Sequence, residues 1–468
     1  MRPVHAPLTA IASRRRKGLP GRRRFSKNKE LPATLARVVR ARTARTSGNG
    51  ASLLQRSIAS PEIAGTAAPE RRARPGTAES AAGGALRIDA FQTVEAAARP
   101  WQALERGAGA NLFQSHAWAA AWEATAGPAH GEGFQAFVGY LDGVPVLLNA
   151  FAIRQDGLSR IAFPIGGVHA AECGGLYAPE LLSRPDGARL IADARRAIAG
   201  RLAADVILEP CLGETALKSE TTIARRGLAF AGSLTEPVHL CHLAPWDVFD
   251  PAHRKSRHRA EDRRSAARLA RIAPLRFEIT TDPAASAAAL GDLLRQKSLQ
   301  FRAAGIPDRY GDPAVVAFFE RLATADAGTE PILGRLHVGE RIAATIFSVG
   351  FKDTVFGLVT AISDDAELRR GAPGFVAFEK YLQALCEAGR YRTVDFGVGD
   401  NGLKDRWCDD ARPLSYRYEI IGPYGIVPGF RAAGTEIAKR TVKANPRLAG
   451  FYRRLRRHAA ERHKAPRT

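Results

Sequence analysis

The sequence predicts a mixed α/β fold containing a duplicated unit, and three observations predict it. Apolar runs of strand length are joined by tight-turn dipeptides. Stretches of helical period lie between them. A similar order then returns about 200 residues further along the 468-residue chain, which is long enough for two or three domains.

Residues 1–85 are poor in large apolar side chains and rich in Arg, Ala, Ser, Pro and Gly, which predicts a disordered segment. The first unit is expected over 86–245. Order begins at Leu86-Arg87-Ile88, and a helix opens at Ser115 with Trp118 and Trp122 four residues apart on one face. Apolar runs at 134–140 and 144–153 flank Asp142-Gly143, a strong hairpin signal. A helix over 190–204 and a buried strand over 206–208 follow.

The second unit is expected over 246–425. Asp250 as N-cap and Pro251 at the first helical position predict a long basic helix through about Arg271. A strand at 277–280, a helix at 284–301 and strands at 331–338, 341–349 and 354–362 come next, the middle two separated by Gly339-Glu340. A loop over 363–373 leads to a helix over 374–387, whose Phe375, Phe378, Leu382 and Leu385 share a face and which Gly389 stops. Strands at 394–396 and 416–421 complete the unit. The tail, 426–468, is expected to be helical at 434–444 and 447–458. It reads as a solvated basic helix, with an acidic membrane surface or nucleic acid as the alternative contact.

The net charge of +22 is concentrated at the ends: +13 over residues 1–50, +10 over 426–468, and −1 over the remainder. Specific nucleic-acid binding by the central region is therefore not expected, and only the basic tails suit anionic surfaces. The five cysteines (173, 211, 241, 386 and 408) are scattered without a C-x-x-C pair, which argues against a disulfide framework or zinc site and for a reducing, cytoplasmic setting. No apolar run approaches the ~20 residues of a membrane span. The Arg-rich, acid-poor N-terminus resembles an organellar transit peptide, but a disordered tail or a start assigned too early is the preferred reading. His116, His169, His239, His242 and His253 share no metal-ligand spacing, so no metal is expected, and no G-x-S-x-G elbow occurs.

Chemistry is expected around two stretches. In the first, a strand ends in Leu368-Arg369-Arg370-Gly371-Ala372-Pro373-Gly374 and runs into a helix. Unpaired N–H groups and the positive end of the helix dipole there suit a pyrophosphate, with Arg369 and Arg370 adding charge. The second is Asp395-Phe396-Gly397-Val398-Gly399-Asp400-Asn401-Gly402-Leu403-Lys404-Asp405-Arg406-Trp407, where carboxylates, a lysine and an indole crowd among glycines.

Together these resemble the GNAT acyltransferases, and more narrowly the branch related to the cellulose-biosynthesis protein CelD. The matching features are Pro373-Gly374 opening a helix, Asp395-Phe396, Gly399-Asp400, Leu403-Lys404 and Trp407, with the basic helix "HRKSRHRAEDRRSAARLAR" before the second unit and "LFQSHAWAAAW" opening the first. The resemblance covers roughly 86–425. It implies tandem units, each a central, mostly antiparallel sheet flanked by helices, the second binding acyl-CoA and the first shaping the acceptor side. Two positions depart: Ala372 stands at a signature glycine, and Leu403 replaces an aromatic.

The resemblance further implies acetyl-CoA or another acyl-CoA as cosubstrate. Val359, Arg369, Arg370, Gly371, Pro373 and Gly374 would hold it. Asp400, Asp395 and Lys404 would act in catalysis, and Trp407 and Arg406 would bind the acceptor. The acceptor would be an amine or sugar hydroxyl, such as a polysaccharide precursor. Asp400 as a turn cap, Asp395 as an arginine's partner and Trp407 as packing remain open beside these roles. Two rival functions also stay open: a Fem-type transferase using aminoacyl-tRNA, and a scaffold whose acyltransferase fold has lost activity.

Overall fold

The computed structural model describes residues 86–107, 109–213, 228–234, 236–324, 328–399, 402–445 and 447–448, all within the unit Ala78–Thr468. The expected disordered segment 1–85, Asp400, and all but the first two residues of the second tail helix lie outside the described residues.

The first half runs β1 (Arg87–Phe91), α1 (Ala98–Gly107), α2 (His116–Glu123), β2 (Glu132–Leu141), β3 (Val144–Asp156), β4 (Ser159–Phe163), β5 (Leu176–Tyr177), α3 (Gly187–Arg201), β6 (Val206–Leu212), β7 (Ala229–Ser233) and β8 (Val238–His242). The second begins with α4 (Trp246–His253), α5 (Ser256–Ala270), β9 (Leu275–Thr280), α6 (Pro283–Ala303), α7 (Pro313–Ala323), β10 (Thr329–Val338), β11 (Arg341–Phe351) and β12 (Thr354–Ile362). It ends with α8 (Ala366–Arg370), α9 (Pro373–Ala388), β13 (Thr393–Val398), α10 (Lys404–Trp407), β14 (Asp410–Arg412), β15 (Ser415–Ile420) and α11 (Ile426–Ala444).

Two mostly antiparallel sheets result. One has the order β1-β2-β3-β4-β6-β15-β7, with β5 beside β3, and the other β9-β10-β11-β12-β13-β8-β14. They correspond position by position. The parallel pair falls at the same place in each, β4–β6 and β12–β13. The sixth position is exchanged: β15 lies between β6 and β7, and β8 lies between β13 and β14. Strand pairing therefore crosses the division expected at 245/246 in both directions.

Local chemistry explains most boundaries. Ser115 accepts from Trp118 N at 3.1 Å and caps α2. Asp142 (φ 51°) and Gly143 (φ 79°) adopt the left-handed conformation that joins β2 to β3. Asp282 and Asp312 cap α6 and α7, each with proline at the helix start. The single basic helix expected from Asp250 to Arg271 is instead two helices. The chain extends at Arg254 and Lys255, and this drops the Arg254 guanidinium among Asp250, Asp262 and Glu379. Three carboxylates around one buried cation outweigh the continuity of the helix.

A separate ionic group joins α3 to strands β6 and β15 of the first sheet. Arg195 donates to Glu209 at 3.2 Å and Glu419 at 3.0 Å, while Arg417 donates to Glu209 at 2.6 Å. All four side chains are buried. Such a network fixes which strand fits beside β6 more than it adds stability.

Candidate active site

The strands β12 and β13 pair over only three positions: Thr354 with Thr393, Val355 with Val394, and Phe356 with Asp395. They then part. On the β12 side a bulge displaces the register, since Phe347 faces Val359 while Ser348 faces Gly357, leaving Leu358 as the extra residue. On the β13 side Gly397 (φ 70°) and Gly399 (φ 102°) turn the chain away. Asp395 holds that turn by accepting the Gly397 N–H at 2.7 Å.

Beyond the parting, no strand among the described residues pairs with β12 on this side to satisfy its carbonyls. Helix α6 supplies donors instead: Lys297 Nζ donates to Thr360 O at 2.9 Å, and Gln300 Nε2 donates to Ile362 O at 2.6 Å. Burial lowers the pKa of Lys297. The gap opens into a cavity of about 460 Å³ whose lining includes Lys297, Gln300, Thr345, Thr360, Arg369, Gly374, Phe375, Phe378 and Leu403. Past Gln300, Ile362 and Arg369 it adjoins a cleft of about 830 Å³ bordered by Arg295, Gln296 and Arg302. Gln296 Oε1 is buried there without a hydrogen-bond partner.

The predicted phosphate loop sits at this mouth. Part of it is helical, because Asp365 caps α8 by accepting the N–H groups of Glu367 and Leu368. Ala372, the residue at the signature glycine, has φ 51° and ψ 54° and immediately precedes Pro373 at the start of α9. Gly371 is fixed by packing, since a Cβ there would lie 2.3 Å from Leu269 Cδ2. Gly374 has room, because its Cβ would meet Ile362 Cγ2 at an ordinary 3.4 Å. Arg369 borders both openings, whereas Arg370 is exposed and borders neither. The Val359 side chain is buried, and its backbone lies opposite Phe347.

The second stretch divides. Asp395 is buried, and Arg412 Nη2 lies 3.3 Å from its Oδ2 and 2.8 Å from Glu172 Oε2. Burial raises both carboxyl pKa values above the ordinary range; Arg412 opposes the shift in each, and the nearby Asp395 adds to that of Glu172. Lys404 donates to Gly397 O at 2.8 Å and Val398 O at 3.0 Å, tying the turn after β13. Arg406 lies away from the cavity lining, bonded to Asp262 at 2.7 Å and Glu261 at 2.9 Å over the Phe375 ring. Trp407 is 1% exposed, stacked on Phe249 and covered by the Arg254 guanidinium. Geometry thus gathers Arg369, Pro373 and Gly374 at the cavity and Asp395 and Lys404 at the foot of the parting. It turns Arg406 and Trp407 toward α4 and α5. Among the described residues, no group of three His, Cys, Asp or Glu could hold a metal ion.

The first sheet shows the same early parting, β4 and β6 pairing only at Ile161–Val206 and Ala162–Ile207. There α2 fills the gap. The Trp118 indole donates to Ile165 O at 3.0 Å, a space of about 40 Å³ is left beside Phe113 and Glu209, and another of about 330 Å³ lies beside Phe163, His169 and Leu208. Of the two partings, the one in the second sheet borders the larger spaces.

Lys297 and Gln300 were missed in the sequence, although one signal was present. Lys297 falls on the apolar stripe of its helix, seven residues after Leu290 and four after Leu293, both buried. A lone cation on that face has to find a buried partner.

Residues 256–405 match the family model described as acetyltransferase (GNAT) domain. That span contains the parting, the α9 helix and most of the second stretch. No curated protein matches the sequence. Among solved structures, the chain is similar to FemX, at 13% identity over 73% of this chain and 100% of that one, with a TM-score of 0.49. It is also similar to a tandem GNAT protein from the clavulanic acid biosynthesis pathway, at 14% identity over 72% and 99%, TM-score 0.41. A third is the C-terminal domain of a putative lysylphosphatidylglycerol synthetase from Agrobacterium fabrum, at 17% identity over 64% and 85%, TM-score 0.37.

Proposed function

We propose that the protein is an acyl-CoA-dependent acyltransferase that moves an acetyl or related acyl group to an amine or sugar hydroxyl of a small acceptor or glycan precursor. The observation that carries this reading is the parting of β12 and β13 over a cavity with the α9 N-terminus at its mouth. An extended thioester arm can enter between the strands and use their unpaired backbone groups. Its diphosphate meets the helix N-terminus and Arg369. The domain match over 256–405 supports the same reading, and an acyl-CoA donor suits a cytoplasmic protein whose five cysteines are free.

The acceptor's lone pair attacks the thioester carbonyl carbon, the C–S bond breaks, and the thiolate leaves and takes up a proton. The acceptor's own proton passes to a base. We assign that base to Asp395, at the foot of the parting, with Glu172 of the first half facing it across Arg412. Lys404 then acts as a positioning residue that holds the turn carrying Gly397 and Val398. Calorimetric titration of the full chain with acetyl-CoA, a longer acyl-CoA and tRNA tests the donor. Saturable binding of an acyl-CoA is expected. Salt-sensitive binding of tRNA with none of acyl-CoA would replace this reading with the aminoacyl-tRNA one.

A further inference from the structure

Helix α11 rests on β15 by a narrow face. Gly429, Ala433 and Glu436 are its buried residues, and a Cβ on Gly429 would lie 2.8 Å from Ile420 Cγ1. At about 100° per residue, Ile426, Phe430 and Ile437 fall within about 40° of one another, with Val427 alongside. All of these keep much of their surface exposed: Ile426 is 43% exposed, Val427 75%, Phe430 53% and Ile437 58%, and Tyr424 just before the helix is 55% exposed. Arg431 and Arg440 flank this apolar arc, each about 40° beyond its edge, and both are exposed; Lys439 and Lys443 lie further round, the one bonded to the buried Glu436 at 2.7 Å and the other paired with Glu236. The sequence continues in the same sense, with seven Lys or Arg and one acid over residues 449–468.

We infer that α11 is a docking helix for the surface of a negatively charged lipid bilayer. A stripe of large apolar side chains beside cations matches the boundary between acyl chains and anionic headgroups, where each kind of group finds its partner. A nucleic acid offers phosphates but no apolar layer for Val427 and Ile437. A second copy of the helix offers an apolar stripe but sets its cations against their own kind. Among the described residues no helix is long and apolar enough to cross a membrane, so the contact is peripheral.

The full chain, sedimented with vesicles, tests this. Binding to phosphatidylcholine vesicles containing a third phosphatidylglycerol is expected, and little binding to phosphatidylcholine alone. Affinity should fall roughly tenfold as salt rises from about 0.1 M to about 0.5 M. Val427→Glu combined with Ile437→Glu should weaken binding at least tenfold while thermal unfolding stays cooperative, because both side chains are exposed. Arg431→Glu should weaken it separately. Phe430 is left unchanged because its ring also packs on Phe230. Three outcomes overturn the inference: equal binding to neutral vesicles, unchanged binding by the double variant, or no vesicle binding at all. A concentration-dependent dimer that the double variant dissolves, without vesicle binding, would assign the stripe to a second copy.

Discussion

Lys297 Nζ lies 2.9 Å from the carbonyl oxygen of Thr360, so a helix side chain rather than a strand completes the open edge of β12. A partly buried ammonium there does two things: it satisfies a carbonyl and places positive charge in the cavity wall. Lys297→Met keeps the stem and removes both. Acyl-CoA affinity should fall roughly tenfold, about 1.4 kcal/mol. The pH dependence has a defined sign. Burial lowers the lysine's pKa, so the native protein should lose affinity as pH rises through that lowered value, and the methionine variant should lack this step. Calorimetry across a pH series reads both effects.

At the mouth of the cavity, Gly374→Asp tests the placement of the diphosphate. A side chain fits sterically, since its Cβ meets only Ile362 Cγ2, at 3.4 Å. The added carboxylate would stand in the first turn of α9, where an anion has to bind. Acyl-CoA affinity should drop at least tenfold, with the melting temperature nearly unchanged. Unchanged affinity would move the donor elsewhere.

Ala372 carries strain that a glycine would relieve. Its φ of 51° places an L-residue in the left-handed region, at a cost of ~1–2 kcal/mol. Glycine gives back ~0.4–1 kcal/mol of this through the entropy of the unfolded chain. Ala372→Gly should therefore stabilise the protein by roughly 0.5–1 kcal/mol in a denaturant titration. Ala372→Val should destabilise it, because a branched Cβ fits that region worse.

These residues mark how far the sequence could be read. Asp142-Gly143, the strand 354–362 and the helix from Pro373 were legible because each is written in local chemistry: a turn dipeptide, a β-rich run, a proline at a helix start. The exchange of β8 and β15 was not, since a five- or six-residue strand carries no label for the sheet it joins. The break at Arg254 was hidden for the same reason, its partners Asp262 and Glu379 lying 8 and 125 residues away. Composition at Trp407 could not separate a stacking platform from packing; the covering Phe249 and Arg254 come from α4 and the residue after it.

Asp395→Asn separates chemistry from folding. If Asp395 takes the acceptor's proton, turnover should fall ~10²-fold or more, while acyl-CoA binding persists. Because burial raises its pKa, the folded state holds this proton more tightly than the unfolded chain does. The stability so gained is full below the ordinary aspartate value, ~3.9, and is lost as pH rises through the folded value. The asparagine variant escapes that loss. Its stability relative to the native protein should increase with pH over this window, read from denaturant midpoints. Full turnover by a folded variant would remove Asp395 from the chemistry.

The strand exchange predicts that neither half folds alone. A chain ending at Pro245 lacks β15, which lies between β6 and β7 and buries all six of its residues. It would also leave Arg195 and Glu209 without Glu419 and Arg417, and breaking one partner from a buried ion pair costs ~3–5 kcal/mol. A chain starting at Trp246 lacks β8, which joins β13 to β14 on the edge of β13 away from β12. Expressed singly, each half should aggregate or melt without a cooperative transition. Expressed together, the halves should co-purify, melt cooperatively and bind acyl-CoA, because each supplies the strand the other lacks. A second half that alone is monomeric, cooperative and competent for acyl-CoA would show that β8 can be dispensed with at the site.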